Sequence, residues 1–310
     1  MIEDESGSKY NTRRLFKVNN VCAIIVTYNP NQDLIVNVEM LLPQVNQLVI
    51  IDNASNSKNQ VYLDKIKVQQ KVTVIYNDDN LGIASALNQG VGFALEIGSE
   101  WIATFDQDSM TEPGYIELML SKLESCPGNI DKIALLTPTI IEMGDQDRFQ
   151  HTKNDDLCRV IKSAITSGAL VRAEVFSKVG YFRADYFIDY VDYEFCFRLR
   201  RFGYTIIQLG GVHLLHHLGK TKNHKLFNNS YTATHHSPLR RYTIARNRII
   251  TYKLYVRQEP VWVAYDAISW IKEIVKILFW EDEKRLKLLR NFQGIWDGLY
   301  GRPVRRYLFK

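Results

Sequence analysis

The sequence predicts an α/β fold with a mostly parallel central sheet flanked by helices, and three observations predict it. Short apolar runs of strand length recur along the first half: Val21 to Val26, Leu48 to Ile51, Val72 to Ile75, Trp101 to Phe105 and Ile133 to Leu136. Runs so uniformly apolar read as strands buried on both faces. Segments with helical spacing separate them, and the connections are short and polar, as in βαβ units. The early runs also end in polar residues, and right-handed crossovers bring such ends to one edge of a sheet.

Taken in order, residues 1–20 are polar and read as a loose arm. The first strand ends in Thr27-Tyr28-Asn29-Pro30, and Pro30 disfavours helix at Asn29. A helix fits about 32–42, with Leu34, Val38, Leu41 and Leu42 on one face. The second strand ends in Asp52-Asn53-Ala54-Ser55, and the third in Tyr76-Asn77-Asp78-Asp79-Asn80. Leu81-Gly82 leads into a helix reaching about Ile97. Pro113 opens another, as expected of proline at the first helical position.

The chain has 310 residues, 46% hydrophobic and 24% charged, which permits one large domain with a sizeable core. Charge is uneven: residues 221–310 hold 18 Lys and Arg against 7 Asp and Glu, and the remainder 21 against 27. Such asymmetry turns the C-terminal part towards something anionic, nucleic acid or lipid. The four cysteines show no C-x-x-C spacing, which fits a reducing compartment better than a disulfide framework. The acidic start Met1-Ile2-Glu3-Asp4 lacks the apolar core of a secretory signal, and no run of 18 apolar residues predicts a membrane span.

The fourth strand ends in Asp106-Gln107-Asp108-Ser109. If extension continues one step, both carboxylates point to one side. Paired carboxylates repel, and a hard cation relieves them; Mg²⁺ and Mn²⁺ take one or two carboxylates plus oxygens of a substrate phosphate. A turn with an aspartate cap explains the same residues without a metal.

Residues 143–163 are polar and irregular, readable as a loop over the site. Thr166-Ser167-Gly168 then supplies small residues that let backbone approach a ligand. In Phe187-Ile188-Asp189-Tyr190-Val191-Asp192-Tyr193-Glu194-Phe195, helical spacing begins near Asp192 and runs to Gly203. Asp192 fits either a helix cap or an acid–base role. Val212 to Gly219 carries His213, His216 and His217 beside an apolar strand, as structural side chains or as a further metal ligand. From Val261 to Trp280 an apolar face forms, with Trp262, Tyr265, Ile268, Ile271, Ile274, Val275, Leu278 and Phe279. It fits a helix lying in a membrane interface, and equally a helix packed on the rest of the protein.

Together, Thr27-Tyr28-Asn29, Asp52-Asn53-Ala54-Ser55, Asn80-Leu81-Gly82, Asp106-Gln107-Asp108-Ser109, Ser167-Gly168, Asp189 to Glu194 and His216-His217-Leu218-Gly219 resemble the family 2 glycosyltransferases of the GT-A fold. The Asp106 and Phe187 segments are similar to the bacterial rhamnosyltransferase branch, which builds O-antigens and related surface polysaccharides. The resemblance covers about residues 20–220, leaving 221–310 as a helical, basic extension. It implies that Thr27, Tyr28, Asn29, Asp52, Asn53, Asn80, Gly82, Asp106 and Gln107 hold the nucleotide of a sugar donor. Asp106, Asp108 and His216, with His217 as a substitute, would hold Mg²⁺ or Mn²⁺. Ser167, Gly168 and Glu194 would face sugar or acceptor. Asp192 matches the general base; many relatives carry Glu where this chain has Val191, which leaves Asp189 as a rival.

The activity so implied is inverting transfer, most simply of L-rhamnose from dTDP-L-rhamnose to a lipid-linked or polysaccharide hydroxyl. It would take place in the cytoplasm, with the C-terminal helices touching the inner membrane face. A GT-A transferase using another donor, such as a UDP-hexose, is the first rival. A non-catalytic protein binding an anionic ligand is the second. The chain has neither G-x-G-x-x-G after its first strand nor a G-x-x-x-x-G-K-[ST] loop, which argues against dinucleotide and P-loop sites. Aromatics among the basic residues fall at helical spacing, not on a sheet platform, which argues against nucleic acid.

Overall fold

The computed structural model describes residues 20–142, 152, 155–216, 222–226, 229–233 and 236–305, with backbone alone for 142, 216, 222–226 and 229–233. The N-terminal arm (residues 1–19), most of the expected loop at 143–154, and His217 lie outside the described residues, as does the side chain of His216.

Four parallel strands form the first half of the sheet: β1 (Val21–Thr27), β2 (Gln47–Asp52), β3 (Val72–Tyr76) and β4 (Trp101–Asp106). Their spatial order is β3-β2-β1-β4. The chain builds outward from β1 to β3 and then returns to the other side of β1. Helices α1 (Asp33–Leu41), α2 (Ser57–Ile66) and α3 (Ile83–Glu96) make the crossovers. Alternation along β1 feeds two cores: Cys22, Ile24 and Val26 face one, and Val21, Ala23 and Ile25 the other. Gly90 of α3 lies so close to β1 that a Cβ there would meet Ile24 at 2.5 Å.

Beyond β4 the sheet departs from the mostly parallel expectation. The remaining strands are β5 (Ser109–Thr111), β6 (Ile133–Glu142), β7 (Cys158–Ile161), β8 (Ala169–Arg172) and β9 (Thr205–His216). Strand β8 runs antiparallel between β4 and β6, β9 runs parallel to β6, and β5 and β7 pair antiparallel with β9. A buried apolar run specifies a strand but not its direction, so this half was open from sequence. Within the expected 143–163 loop, β7 is regular structure, and it brings Cys158 Sγ to 2.8 Å from Cys126 Sγ. Helix α4 (Tyr115–Ser121) is capped at Gly114, so Pro113 precedes the helix by two positions and does not open it. Helices α5 (Ala173–Val179) and α6 (Val191–Arg201) complete this part.

The C-terminal region is not helical throughout. A hairpin, β10 (Lys222–Leu226) with β11 (Asn229–Ala233), precedes α7 (Pro238–Tyr255), α8 (Pro260–Trp280) and α9 (Lys284–Leu299). Ile244 and Ile250 of α7 join the main core. Gly294 and Gly298 of α9 sit against the α7 backbone, where a Cβ would meet the Tyr242 and Arg246 carbonyls at 2.3 and 2.7 Å. Buried Arg241 pairs with buried Glu281 at 2.5 Å, and Lys287 with the same carboxylate at 2.8 Å.

Helix α8 behaves differently from the other two, because Ile277 is its one fully buried residue. Its inner edge packs through Trp262, 4.8 Å from the Phe197 ring, and through Asp266. Tyr265, Ile268, Ile271, Val275, Leu278 and Phe279 are exposed, as are Leu289, Phe292 and Trp296 of α9. No helix among the described residues is long and apolar enough to cross a membrane.

Candidate active site

The strand order reverses between β1 and β4, and open α/β sheets bind ligands outside the carboxyl ends at such a switch point. Val26 is registered against Asp106 across it. On the β2 side, buried Asp52 accepts from Thr27 Oγ1 at 2.9 Å and from the Ser55 amide at 3.0 Å. Asn29, at φ 50°, accepts the Asn56 amide on its side chain at 2.9 Å, while its own amide donates to Ser55 Oγ. Asp52 and Asn29 therefore tie the loops after β1 and β2 together from behind the cleft.

Between β3 and α3 the chain needs Gly82. Its φ is 84°, and a Cβ would lie 2.4 Å from the Phe187 carbonyl. That carbonyl accepts the Ile83 amide at 2.8 Å, which ties the start of α3 to the segment carrying Asp189. Asn53 donates to the Gly82 carbonyl at 3.2 Å, and Asn80 accepts the Gly82 amide at 2.9 Å.

The aspartate pair departs from the extended geometry expected. Strand β4 stops at Asp106, and residues 107 and 108 turn before β5. The Gln107 side chain reaches back across the switch point and accepts the Tyr28 amide at 2.9 Å. Ser167 Oγ accepts the Asp106 amide at 3.0 Å and lies 2.6 Å from Ser109 Oγ. The Gly168 carbonyl accepts the Tyr115 hydroxyl at 2.6 Å. Ser167 thus supports the aspartate turn, while Gly168 is tied to Tyr115 and to Thr104 of β4.

The third wall is the segment before α6. Asp189 and Tyr190 sit consecutively at φ 66° and 64°, a left-handed pair uncommon for side chains of this size. Asn247 of α7 donates to the carbonyls of Ile188 at 2.9 Å and Asp189 at 3.0 Å. Arg248 and Asp266 hold the Tyr190 hydroxyl at 2.5 and 2.8 Å. Asp192 lies in the first turn of α6, after the cap position, and accepts the Tyr193 amide at 2.9 Å. Burial pushes its carboxyl up to about 6; the Tyr193 amide opposes the rise, and the charges of Asp189 and Asp106 add to it. Asp189 is engaged by Arg240, whose Nη2 is 2.8 Å from its Oδ1.

These walls enclose a cavity of about 560 Å³. Of the residues expected from sequence, Thr27, Tyr28, Asn53, Asn80, Gly82, Asp106, Gln107, Asp108, Asp189 and Asp192 line it. Asn29, Asp52, Ser167 and Gly168 stand behind the lining. Glu194 points elsewhere: it is buried, pairs with Arg198 through 2.9 and 3.1 Å contacts, and accepts the Tyr255 hydroxyl at 2.8 Å. His213 is buried and 3.0 Å from Thr152 Oγ1, a structural placement.

Arg240, Phe187 and Ile188 also line the cavity. Arg240 was readable only as part of the basic C-terminal charge; the Ser237-Pro238 helix start beside it was the available signal. Among the described residues no cluster of three or more His, Cys, Asp or Glu is placed to hold a metal ion. Asp106 and Asp108 in one cavity still fit a divalent ion that takes its other ligands from substrate phosphate and water.

Comparison with known proteins gives concordant results. The model of "Glycosyl transferase family 2" matches residues 22–180. The dTDP-rhamnosyl transferase RfbF of Shigella flexneri is 31% identical over 248 residues, covering 74% of this chain and 79% of that protein. The low-salt glycan biosynthesis hexosyltransferase Agl10 of Haloferax volcanii is 22% identical, covering 92% and 91%. Among solved structures, GalNAc-T7 with UDP, GalNAc and Mn²⁺ superposes with a TM-score of 0.61 at 12% identity over 92% of this chain, which spans 56% of that one. The mannosyltransferase PcManGT from Pyrobaculum calidifontis, with GDP-Man and Mn²⁺, gives 0.55 at 14% identity over 94% of this chain and 78% of its own. The two structures share the fold, and the sequence matches carry the family: the chain is a glycosyltransferase of family 2 with the GT-A fold.

Proposed function

We propose that the enzyme transfers L-rhamnose from dTDP-L-rhamnose, with inversion, to a hydroxyl of a lipid-linked or polysaccharide acceptor. The observation that carries this is the cavity in which Asp106, Asp108 and Asp192 converge, together with the likeness to a dTDP-rhamnosyl transferase. Thr27, Tyr28, Asn53, Asn80 and Gly82 line the cavity and would hold the base and ribose. Asp106 and Asp108 would hold Mg²⁺ or Mn²⁺ against the diphosphate, and the ion's contribution is Lewis-acid stabilisation of the departing charge.

Asp192 takes the proton of the acceptor hydroxyl as its oxygen attacks the anomeric carbon. A carboxylate raised to about 6 is a stronger base than an ordinary aspartate and remains mainly ionised near neutral pH. Asp189 is the weaker candidate, because Arg240 already engages its oxygens. Attack from the face opposite the diphosphate converts a β-linked donor to an α-linked product.

The acceptor side also supports a peripheral membrane contact. The outer faces of α8 and α9 expose Tyr265, Ile271, Phe279, Phe292 and Trp296, and Lys272, Lys284 and Arg285 are exposed on the same two helices. Apolar side chains with flanking cations suit an anionic lipid interface, where a lipid-linked acceptor is embedded. The test of the activity is product analysis: enzyme, dTDP-β-L-rhamnose, Mn²⁺ and a membrane lipid extract should yield dTDP and an α-rhamnosylated lipid. Transfer from another nucleotide-sugar in its place would discard rhamnose and keep the transferase.

A further inference from the structure

Four carboxylates line the cavity, those of Asp106, Asp108, Asp189 and Asp192. Arg240 is the one basic side chain among the described lining residues. Bond breaking at the anomeric carbon sends an electron pair to the β-phosphate oxygen, so negative charge grows where carboxylates already crowd. A divalent ion on Asp106 and Asp108 offsets only part of that charge.

Arg240 is placed to offset more of it. It stands in the first turn of α7, where Ser237 Oγ accepts its amide at 3.2 Å. Its guanidinium touches Asp189 through Nε and Nη2 at 2.8–3.2 Å, which leaves Nη1 without a partner among the described residues. Burial works against the guanidinium's charge, and the carboxylates of Asp189 first and Asp106 after it outweigh that, so Arg240 and the aspartate turn share one electrostatic neighbourhood. The side chain is 43% exposed, while its partner Asp189 is held by the Asn247 clamp on its carbonyl. A planar guanidinium matches two phosphate oxygens as well as it matches a carboxylate.

We propose that Arg240 is a catalytic residue for the leaving group. It would exchange its Asp189 contact for the β-phosphate of the bound donor, with Asp189 as its counter-ion when the cavity holds no donor. In the transfer step the acceptor oxygen bonds to the anomeric carbon, the bond from that carbon to the β-phosphate oxygen breaks, and the acceptor proton passes to Asp192. Arg240 donates hydrogen bonds to the phosphate that leaves. The inference rests on the transferase reading above and does not depend on which sugar is moved.

Calorimetric titration of the full chain with dTDP, dTMP, UDP and UMP, each with Mn²⁺, tests it. For whichever nucleotide binds, Arg240→Ala should weaken the diphosphate by roughly 10- to 100-fold and the monophosphate by less than about 3-fold, the scale of a lost charge-assisted hydrogen bond. Asp189→Asn should bind the diphosphate at least as tightly as the native chain, because it releases Arg240. Arg240→Lys, which keeps the charge without the fork, should fall between and provides the comparison should the alanine variant not fold. Equal losses for di- and monophosphate, or none, would overturn the role of Arg240 while leaving the transferase reading intact. Failure of the native chain to bind any of the four would overturn both.

Discussion

Asn247 holds Asp189 by its backbone: the side-chain amide donates to the Asp189 carbonyl at 3.0 Å and to the Ile188 carbonyl at 2.9 Å, from a position that is almost fully buried. A C-terminal helix thereby sets the conformation of the segment leading to Asp192, at the point where two consecutive residues take left-handed φ angles.

Asn247→Ala removes both donors and leaves the carbonyls without them. The cost to stability should be about 1–3 kcal/mol, read by urea unfolding. Turnover should fall further than donor affinity, because the proposed base Asp192 moves while the strand ends proposed to hold the nucleotide do not. An unchanged kcat would separate this clamp from catalysis.

The raised carboxyl of Asp192 carries a sign for both rate and stability. As the proposed base it must be ionised, so kcat/KM should climb through pH of about 6. In the unfolded chain the same group ionises in the ordinary range, so its charge weighs on the folded state once pH exceeds about 4 and does so fully above about 6. Asp192→Asn should therefore abolish turnover and yet raise stability at pH 8 by up to about 3 kcal/mol, with the gain vanishing near pH 4. A gain equal at both pH values would contradict the assigned ionisation.

Glu194 belongs to the scaffold, although its position in the Asp189 to Glu194 segment suggested a place facing the substrate. Glu194→Gln breaks a buried pair with Arg198 and should cost about 2–4 kcal/mol of stability. Donor affinity in the folded fraction should be unchanged, as measured by calorimetry. Selective loss of donor binding with native stability would return Glu194 to the site.

The exposed faces of α8 and α9 predict binding to anionic vesicles. Flotation with phosphatidylglycerol vesicles should recover the native chain, less so at high salt, and should recover Ile271→Glu/Phe279→Glu about 10-fold less. Both positions are more than half exposed, so the double variant should keep its fold. Undiminished flotation of that variant would place the lipid contact elsewhere.

How far these features could be read from sequence follows from physics local to each. The parallel strands, the Gly82 turn and the polar strand ends leave local marks: apolar runs, a glycine where φ is positive, and carboxylates or amides just after each run. Direction within the second half of the sheet leaves none, since an apolar run looks the same either way. Within the segment from Asp189 to Glu194 the sequence singled out Asp189 and Asp192, which line the cavity, but not that Glu194 turns away from it; that depends on a left-handed pair held by Asn247, 58 residues downstream of Asp189. Arg240, 51 residues downstream of Asp189, was hidden as one cation among many. The apolar stripe of α8 was legible, whereas its outward orientation depends on the packing of Trp262 and Asp266, which a single helix cannot report.

The central claim is that this cavity takes a metal-bound dTDP-sugar. The most direct test is thermal unfolding against dTDP-rhamnose, UDP-glucose, UDP-galactose and GDP-mannose, each with and without Mn²⁺. A ligand at 100 times its dissociation constant adds about 2.7 kcal/mol, which moves Tm by a readable amount. A Mn²⁺-dependent rise with dTDP-rhamnose that Asp108→Asn removes is expected. A rise with another donor alone, or one indifferent to Mn²⁺ and to Asp108, would contradict it.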